Sequence, residues 1–208
     1  PKSKTLGANE VAVNWGLDEA KTLRNINIRV PSPIEGRYEW TGKHEPFDHQ
    51  KKTAGVLTMN RRAFCFNEQG TGKTASAIWA ADYLMKQGKI NRVLVVCPLS
   101  IMDSAWRADL FTFAMHRSVD VAHGNKEKRR NIINGDAEFI IINYDGVEIV
   151  QDAIDNGGFD CIIVDEATHY KNVQTKRWKT LNRLLKPDTW LWLMTGTPAA
   201  QSPLDAYG

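Results

Sequence analysis

The sequence predicts an α/β fold, a mostly parallel sheet covered by helices on both faces, and three observations point to it. Short apolar runs alternate with amphipathic stretches from Phe47 onward, the rhythm of βαβ units. Runs such as FIII and CIIV carry no polar alternate, as strands buried on both faces require. The 208 residues are 42% hydrophobic and 25% charged, enough apolar material for one well-packed core and a small appendage.

Taken in order, residues 1–46 differ from the rest: "NINIRV" alternates like a strand, "PSPIEG" reads as a turn and "RYEW" follows. A small β-rich preface, such as a hairpin, is therefore predicted over 1–46, ahead of a main domain over 47–208. In that domain AFCF, RVLVVCP, VDVAH, EFIIIN, DCIIVDE and TWLWLMTG are the strand candidates. After Lys73, Ala77, Ile78, Ala81, Leu84 and Met85 recur at helical spacing, and Gly88 stands where a C-terminal cap belongs.

Composition narrows the class without choosing a function. A net charge of +3 tilts toward anionic partners but is too small to distinguish a nucleic-acid binder from another enzyme. Cys65, Cys97 and Cys161 each lie in an apolar run, and no charged-then-apolar leader opens the chain, so they read as reduced thiols of an intracellular protein. No apolar run is long enough for a membrane span, and no cysteines or histidines have metal-ligand spacing.

"NEQGTGKT" lies between a strand candidate and a strong helix. Backbone N–H groups at a helix N-terminus hold phosphate oxygens, and glycines let the chain curl around them. The candidate triphosphate cradle is Gln69, Gly70, Thr71, Gly72, Lys73 and Thr74, with Lys73 a charge for the outer phosphates and the Thr74 hydroxyl a Mg²⁺ ligand. The general pattern has glycine where Asn67 stands. At the end of the most apolar strand, "CIIVDEATHYKN" carries Asp165 and Glu166 at the sheet edge where open α/β folds bind ligands. Asp165 suits a hydrated Mg²⁺, and Glu166 suits orienting or deprotonating the water that attacks a γ-phosphate.

The order NEQGTGKT, VVCPLS, VDEATHYKN, LMTGTP resembles superfamily-two helicases, and within them the Swi/Snf-type translocases, over about Phe47 to Gly208. The resemblance implies ATP as substrate with Mg²⁺, and a fold of two RecA-like lobes, of which this chain looks like the first. "PFDHQ" resembles the Q motif, which implies that Gln50 reads the adenine edge with Phe47 nearby. "TGTP" resembles motif III and implies coupling roles for Thr195 and Thr197. "VVCPLSIMDSAW", "VAHGNKEKR" and "IINYDGVE" are similar to motifs Ia, Ic and Ib, strips that grip a nucleic-acid backbone. They make Pro98, Ser100, His123, Gly124, Asn143 and Tyr144 candidates, with Lys171 and Asn172 beside the acidic box. This chain departs from the family at Thr168, where histidine is usual, with His169 one place later, and at Asn67, where aspartate or alanine is usual.

Between Glu166 and Asp188 there is no acid, while Lys171, Lys176, Arg177, Lys179, Arg183 and Lys186 supply a basic stripe. Lys126, Lys128, Arg129 and Arg130 form a second cluster. Such bases bring affinity for backbone phosphates rather than sequence choice, and otherwise read as solvated helix faces. Trp79, Trp190 and Trp192 fall in core elements, whereas Trp106 and Trp178 stay open between packing and base stacking. His44, His49 and His116 have no partner legible in sequence. The expected partners are thus duplex DNA, through its backbone, and a second RecA-like lobe. A strand-separating DNA or RNA helicase, a restriction-type motor subunit and a non-hydrolysing nucleotide-gated binding module remain as alternatives.

Overall fold

A computed structural model describes residues 3–7, 10–170, 172 and 174–196. β1 (Ser3–Gly7) and β2 (Glu10–Val13) pair antiparallel as a separate two-stranded sheet. Helices α1 (Leu17–Asn25), α2 (Ile34–Arg37) and α3 (Asp48–Met59) lead into β3 (Arg62–Cys65), α4 (Lys73–Lys86) and β4 (Val93–Cys97). A 3₁₀ turn at Leu99–Ile101 and a π-helical turn at Met102–Arg107 feed α5 (Ala108–Phe113). Then come β5 (Val119–Val121), α6 (Lys126–Ile133), β6 (Phe139–Asn143), α7 (Tyr144–Ile149) and α8 (Gln151–Asn156). β7 (Cys161–Val164), a 3₁₀ turn at Ala167–Tyr170, α9 (Lys176–Leu184) and β8 (Trp190–Met194) close the order.

The main sheet runs β3-β8-β7-β4-β6-β5, and every pairing in it is parallel. All six strand ends therefore open on one edge, which is what brings motifs scattered over the sequence to one rim. Strand period splits the core in two. Val93, Val95 and Cys97 of β4 join the cluster under α1, α3, α4 and α5, while Leu94 and Val96 join the one under α6 to α9. The sequence's six strand candidates all form strands of this sheet.

Helix α4 is buried from Ala75 through Leu84, so it is a central rather than an amphipathic helix. It stops where the sequence predicts: Gly88 has φ 64°, its N–H donates to Met85 O at 2.9 Å, and Lys89 N–H donates to Leu84 O at 2.9 Å.

The preface does hold a small antiparallel sheet, β1 with β2, but the residues expected to build it do something else. NINIRV is not a strand: α1 ends at Asn25, Asn27 turns with φ 63°, and no regular structure follows to Val30. Ile26 and Ile28 are exposed, and the Arg24 guanidinium donates to Val30 O at 2.8 and 3.0 Å, folding the segment back instead of offering it to a sheet. PSPIEG, read as a turn, contributes the single helical turn α2, and the two-stranded sheet lies earlier, at β1 and β2. Leu17, Ala20, Ile34 and Tyr38 are buried in the same cluster as α4. The Tyr38 hydroxyl donates to Asp82 of α4 at 2.6 Å, and Trp79 Nε1 donates to Thr41 O at 2.8 Å.

Candidate functional site

The site starts at the edge strand β3, whose chain turns through Phe66–Gly72 into α4. Gly70 and Gly72 have φ 75° and 76°, a left-handed backbone that an L side chain resists. At Gly72 a Cβ would also overlap the Gln50 amide, so a side chain there would push Gln50 off the loop. Three polar ties hold this loop. Asn67 Nδ2 donates to Thr53 Oγ1 at 2.8 Å, Thr71 Oγ1 to Glu68 O at 2.7 Å, and Gln50 Nε2 to Thr71 O at 3.2 Å. The Gln50 Oε1 also accepts from Phe47 N–H at 3.0 Å, so this side chain joins the start of α3 to the loop. A His49 ring nitrogen lies 3.0 Å from the same Thr71 carbonyl, a partner the sequence does not reveal. The Lys73 ammonium lies over the loop, donating to Asn67 O and Glu68 O at 2.9 Å each.

The carboxylates arrive from β7, separated from β3 only by β8. Asp165 N–H continues the ladder to Val96 O at 2.9 Å. Its buried carboxylate accepts from Trp106 Nε1 at 2.9 Å and from Glu166 N–H at 2.9 Å. Glu166 follows with φ 48°, a rare conformation for a non-glycine residue. Burial in this region raises the Tyr144 phenol and Cys97 thiol well above their ordinary values, with the Asp165 charge adding to both.

A cleft of about 410 Å³ joins the two halves. Gln50, Gln69, Gly70, Gly72, Lys73, Thr74, Asp165 and Glu166 all line it, together with Ala75, Asp109 and Phe113, which the sequence did not single out. Burial alone pushes the Asp109 carboxyl above its usual range. Thr71 takes part through its carbonyl. Thr195 is buried and donates its N–H to Cys65 O at 3.0 Å, and a Cβ on the next residue, Gly196, would come 2.8 Å from Gln69 Cγ. The end of β8 thus packs against the loop. Thr197 and Lys171 lie outside the described residues.

The strips along the rim are less uniform than expected. Ser100, His123, Gly124 and Asn172 are exposed, and Pro98 is half-buried. Asn143 and Tyr144, expected to grip a nucleic-acid strand, are instead only 9% and 7% exposed, and their polar atoms are committed internally. Arg129 Nη1 donates to Asn143 Oδ1 at 2.9 Å, and the Tyr144 hydroxyl donates to Asp165 O at 2.6 Å. Both basic clusters are also partly neutralised. Arg129 is buried against the carbonyls of Ala122 and Gly124. Arg130 pairs with Asp152, Lys176 with Glu148, Arg177 with Asp145, and Lys186 with Asp155 at 3.8 Å. Lys126, Lys128, Lys179 and Arg183 remain exposed. Trp106 is fully buried and offers no stacking face, whereas Trp178 is partly buried, packed against the second core cluster.

An all-parallel sheet, a glycine-lysine loop after its edge strand and a carboxylate pair two strands away define a RecA-like lobe of the P-loop class. The chain belongs to the SNF2-related domain family, whose model matches residues 12–208. It is 33% identical over 163 residues to the SWI/SNF-related matrix-associated actin-dependent regulator of chromatin subfamily A-like protein 1 of Xenopus laevis, covering 73% of this chain and 15% of that protein. It is 30% identical over 162 residues to the ISWI chromatin-remodeling complex ATPase ISW2 of Saccharomyces cerevisiae, covering 72% of this chain and 13% of that protein. The solved Sulfolobus solfataricus SWI2/SNF2 ATPase core in complex with dsDNA superposes with a TM-score of 0.70 at 26% identity, over 80% of this chain and 35% of that one. The chain thus spans about a seventh of the length of these two curated relatives. No helix among the described residues is long and apolar enough to cross a membrane.

Proposed function

We propose that this chain is the first ATPase lobe of a motor that couples ATP hydrolysis to translocation along duplex DNA. The observation that carries the reading is the single cleft shared by Lys73, Thr74, Asp165 and Glu166 at the strand-end edge of a parallel sheet. Membership of the SNF2-related family supports it, as do relatives named as chromatin-remodelling ATPases and a solved relative holding double-stranded DNA.

In this reading the loop N–H groups and the α4 N-terminus bind the phosphates. Lys73 exchanges the carbonyls of Asn67 and Glu68 for phosphate oxygens, so the loop's own acceptors keep the ammonium in place until substrate arrives. Gln50, anchored to Thr71, positions the adenine end relative to the cradle. Glu166 orients the attacking water and takes up its proton. Mg²⁺, when bound, neutralises charge developing on the β- and γ-phosphates, and Thr74 and Asp165 are the cleft's oxygen donors suited to it. Trp106 and the Glu166 N–H hold the Asp165 carboxylate in one orientation. Thr195 and Gly196, packed against the loop, are the route by which phosphate state reaches β8.

The test is ATP turnover by the full-length protein with duplex DNA, single-stranded DNA or RNA, beside Lys73→Ala and Glu166→Gln. Turnover stimulated mainly by duplex and abolished in both variants is expected. Stimulation mainly by single strands or RNA would instead assign strand separation, and no turnover with any of them would leave a binding module.

A further inference from the structure

Resting on the role just given to Glu166, we infer that Tyr144 is a positioning residue: its hydroxyl latches the backbone of the acidic pair and links it to the surface ion pair Arg177–Asp145. Tyr144 begins α7 immediately after β6 and is nearly buried. Its hydroxyl donates to Asp165 O at 2.6 Å, and Glu166 O lies at 3.5 Å, at the limit of hydrogen-bond reach. A phenol has one proton, which here goes to Asp165 O, and Glu166 O is the neighbouring acceptor beyond it.

What it holds is the strained point of the site. Glu166, with φ 48°, persists in the left-handed region only because its surroundings hold it there. Those surroundings are the Asp165 carboxylate on its N–H at 2.9 Å, the His169 N–H on its carbonyl at 3.2 Å, and the Tyr144 hydroxyl. Displacing or removing the hydroxyl changes the support of the residue proposed to orient water.

The ring is flanked by His169 and Tyr170, at centroid distances of 4.9 and 5.6 Å, and by Arg177. The Arg177 guanidinium lies 5.6 Å from the Tyr144 centroid and donates to Asp145 at 2.6 Å, and both charged groups are solvent-accessible. Such an exposed pair is weak, and a phosphate competes with Asp145 for the same guanidinium. The backbone behind the ring is tied down, because Arg129 bonds Asn143 while binding the carbonyls of Ala122 and Gly124. Displacement of Arg177 is therefore felt by the ring and its hydroxyl rather than by the β6 terminus. Phosphate engagement at α9 thereby reaches Glu166 through one side chain.

The experiment is the turnover assay above, on the full-length protein. Tyr144→Phe keeps the ring and removes the hydroxyl, and kcat at saturating duplex should fall about tenfold while the KM for ATP and the Kd for duplex stay within about twofold. Asp145→Asn, a surface change, frees Arg177 and should lower the duplex concentration for half-maximal stimulation severalfold. A Tyr144→Phe protein with kcat within about twofold of wild type overturns the latch, as does one whose KM and kcat worsen together. Should Tyr144→Phe fail to fold, Asp145→Asn decides, and an unchanged duplex dependence overturns the proposal. A wild type that Glu166→Gln does not silence overturns the functional reading itself. Silencing by Glu166→Gln beside an unaffected Tyr144→Phe overturns the latch alone.

Discussion

Trp106 Nε1 donates to Asp165 Oδ2 at 2.9 Å across 59 residues of chain, from a π-helical turn that aims the indole at the acidic pair. Both groups are buried, so the bond is made in a low-dielectric site and its loss is not repaired by water. Trp106→Phe keeps most of the ring volume and deletes the donor. We expect a loss of about 1.5–3 kcal/mol of stability, the range for a hydrogen bond to a charged group, read as a lower urea midpoint at unchanged slope. A midpoint equal to wild type would show that the bond adds no net stability. This bond illustrates what sequence conveys at the residue scale. Gly70, Gly72, Lys73 and Thr74 are legible because their requirement is local, a left-handed turn into a helix within a few residues. Trp106, Arg129 and His116 are not, since each is explained by a partner that only tertiary folding supplies.

At the scale of elements, α4 joins the phosphate loop to the rest of the lobe, and Asp82 is its buried hub. The side chain is fully buried and accepts from Tyr38 at 2.6 Å, Arg117 at 2.6 Å, His116 at 2.7 Å and Lys86 at 3.0 Å, while Arg117 also reaches Glu138 at 2.6 Å. Burial pushes the Asp82 carboxyl up, but the bonds from Tyr38, Arg117, Lys86 and His116 outweigh it and hold the group at about 2. A depressed folded-state value adds stability above the unfolded value near 3.8, and that stability is lost as pH falls through about 2. The shift corresponds to about 2 kcal/mol, so the denaturation midpoint should drop between about pH 4 and pH 2. Asp82→Asn should remove that acid dependence and cost about 3–5 kcal/mol at neutral pH, because Arg117 and Lys86 then lose a buried counter-charge. An unchanged acid limb in the variant would assign the transition to other carboxylates. The same scale shows why the ion pairing of the basic helices is hidden in the sequence. The spacing of bases on α9 is visible in sequence, but Asp145, Glu148 and Asp155 on α7 and α8, which take up Arg177, Lys176 and Lys186, come near only when those helices pack.

At the scale of the whole molecule, strand alternation was enough to foresee a parallel sheet because doubly covered strands have no polar face to hide. The N-terminal stretch misled because its alternation has no sheet to join and is overruled by the Arg24 bonds to Val30. The assembled rim carries a charge imbalance that no single motif displays. Among the described residues lining the cleft, Lys73 is the one base, against Asp109, Asp165 and Glu166. A triphosphate entering there adds further negative charge, which these described walls meet with a single base. Two consequences follow from this deficit. Nucleotide binding by residues 1–208 alone should depend on Mg²⁺, weakening by at least about tenfold on chelation, and Asp109→Asn should recover part of that loss by removing one facing acid. Turnover should stay poor even with the metal, since an arginine from a facing element is typically worth ~10³ to 10⁵ in rate and none of the described residues lining the cleft is an arginine. Fluorescent-nucleotide titration with and without chelator, and single-turnover hydrolysis by the lobe beside the full-length protein, measure the two terms separately. Metal-independent binding would show that the loop N–H groups and Lys73 balance the phosphates alone, and full turnover by the lobe would show that no facing cation is needed.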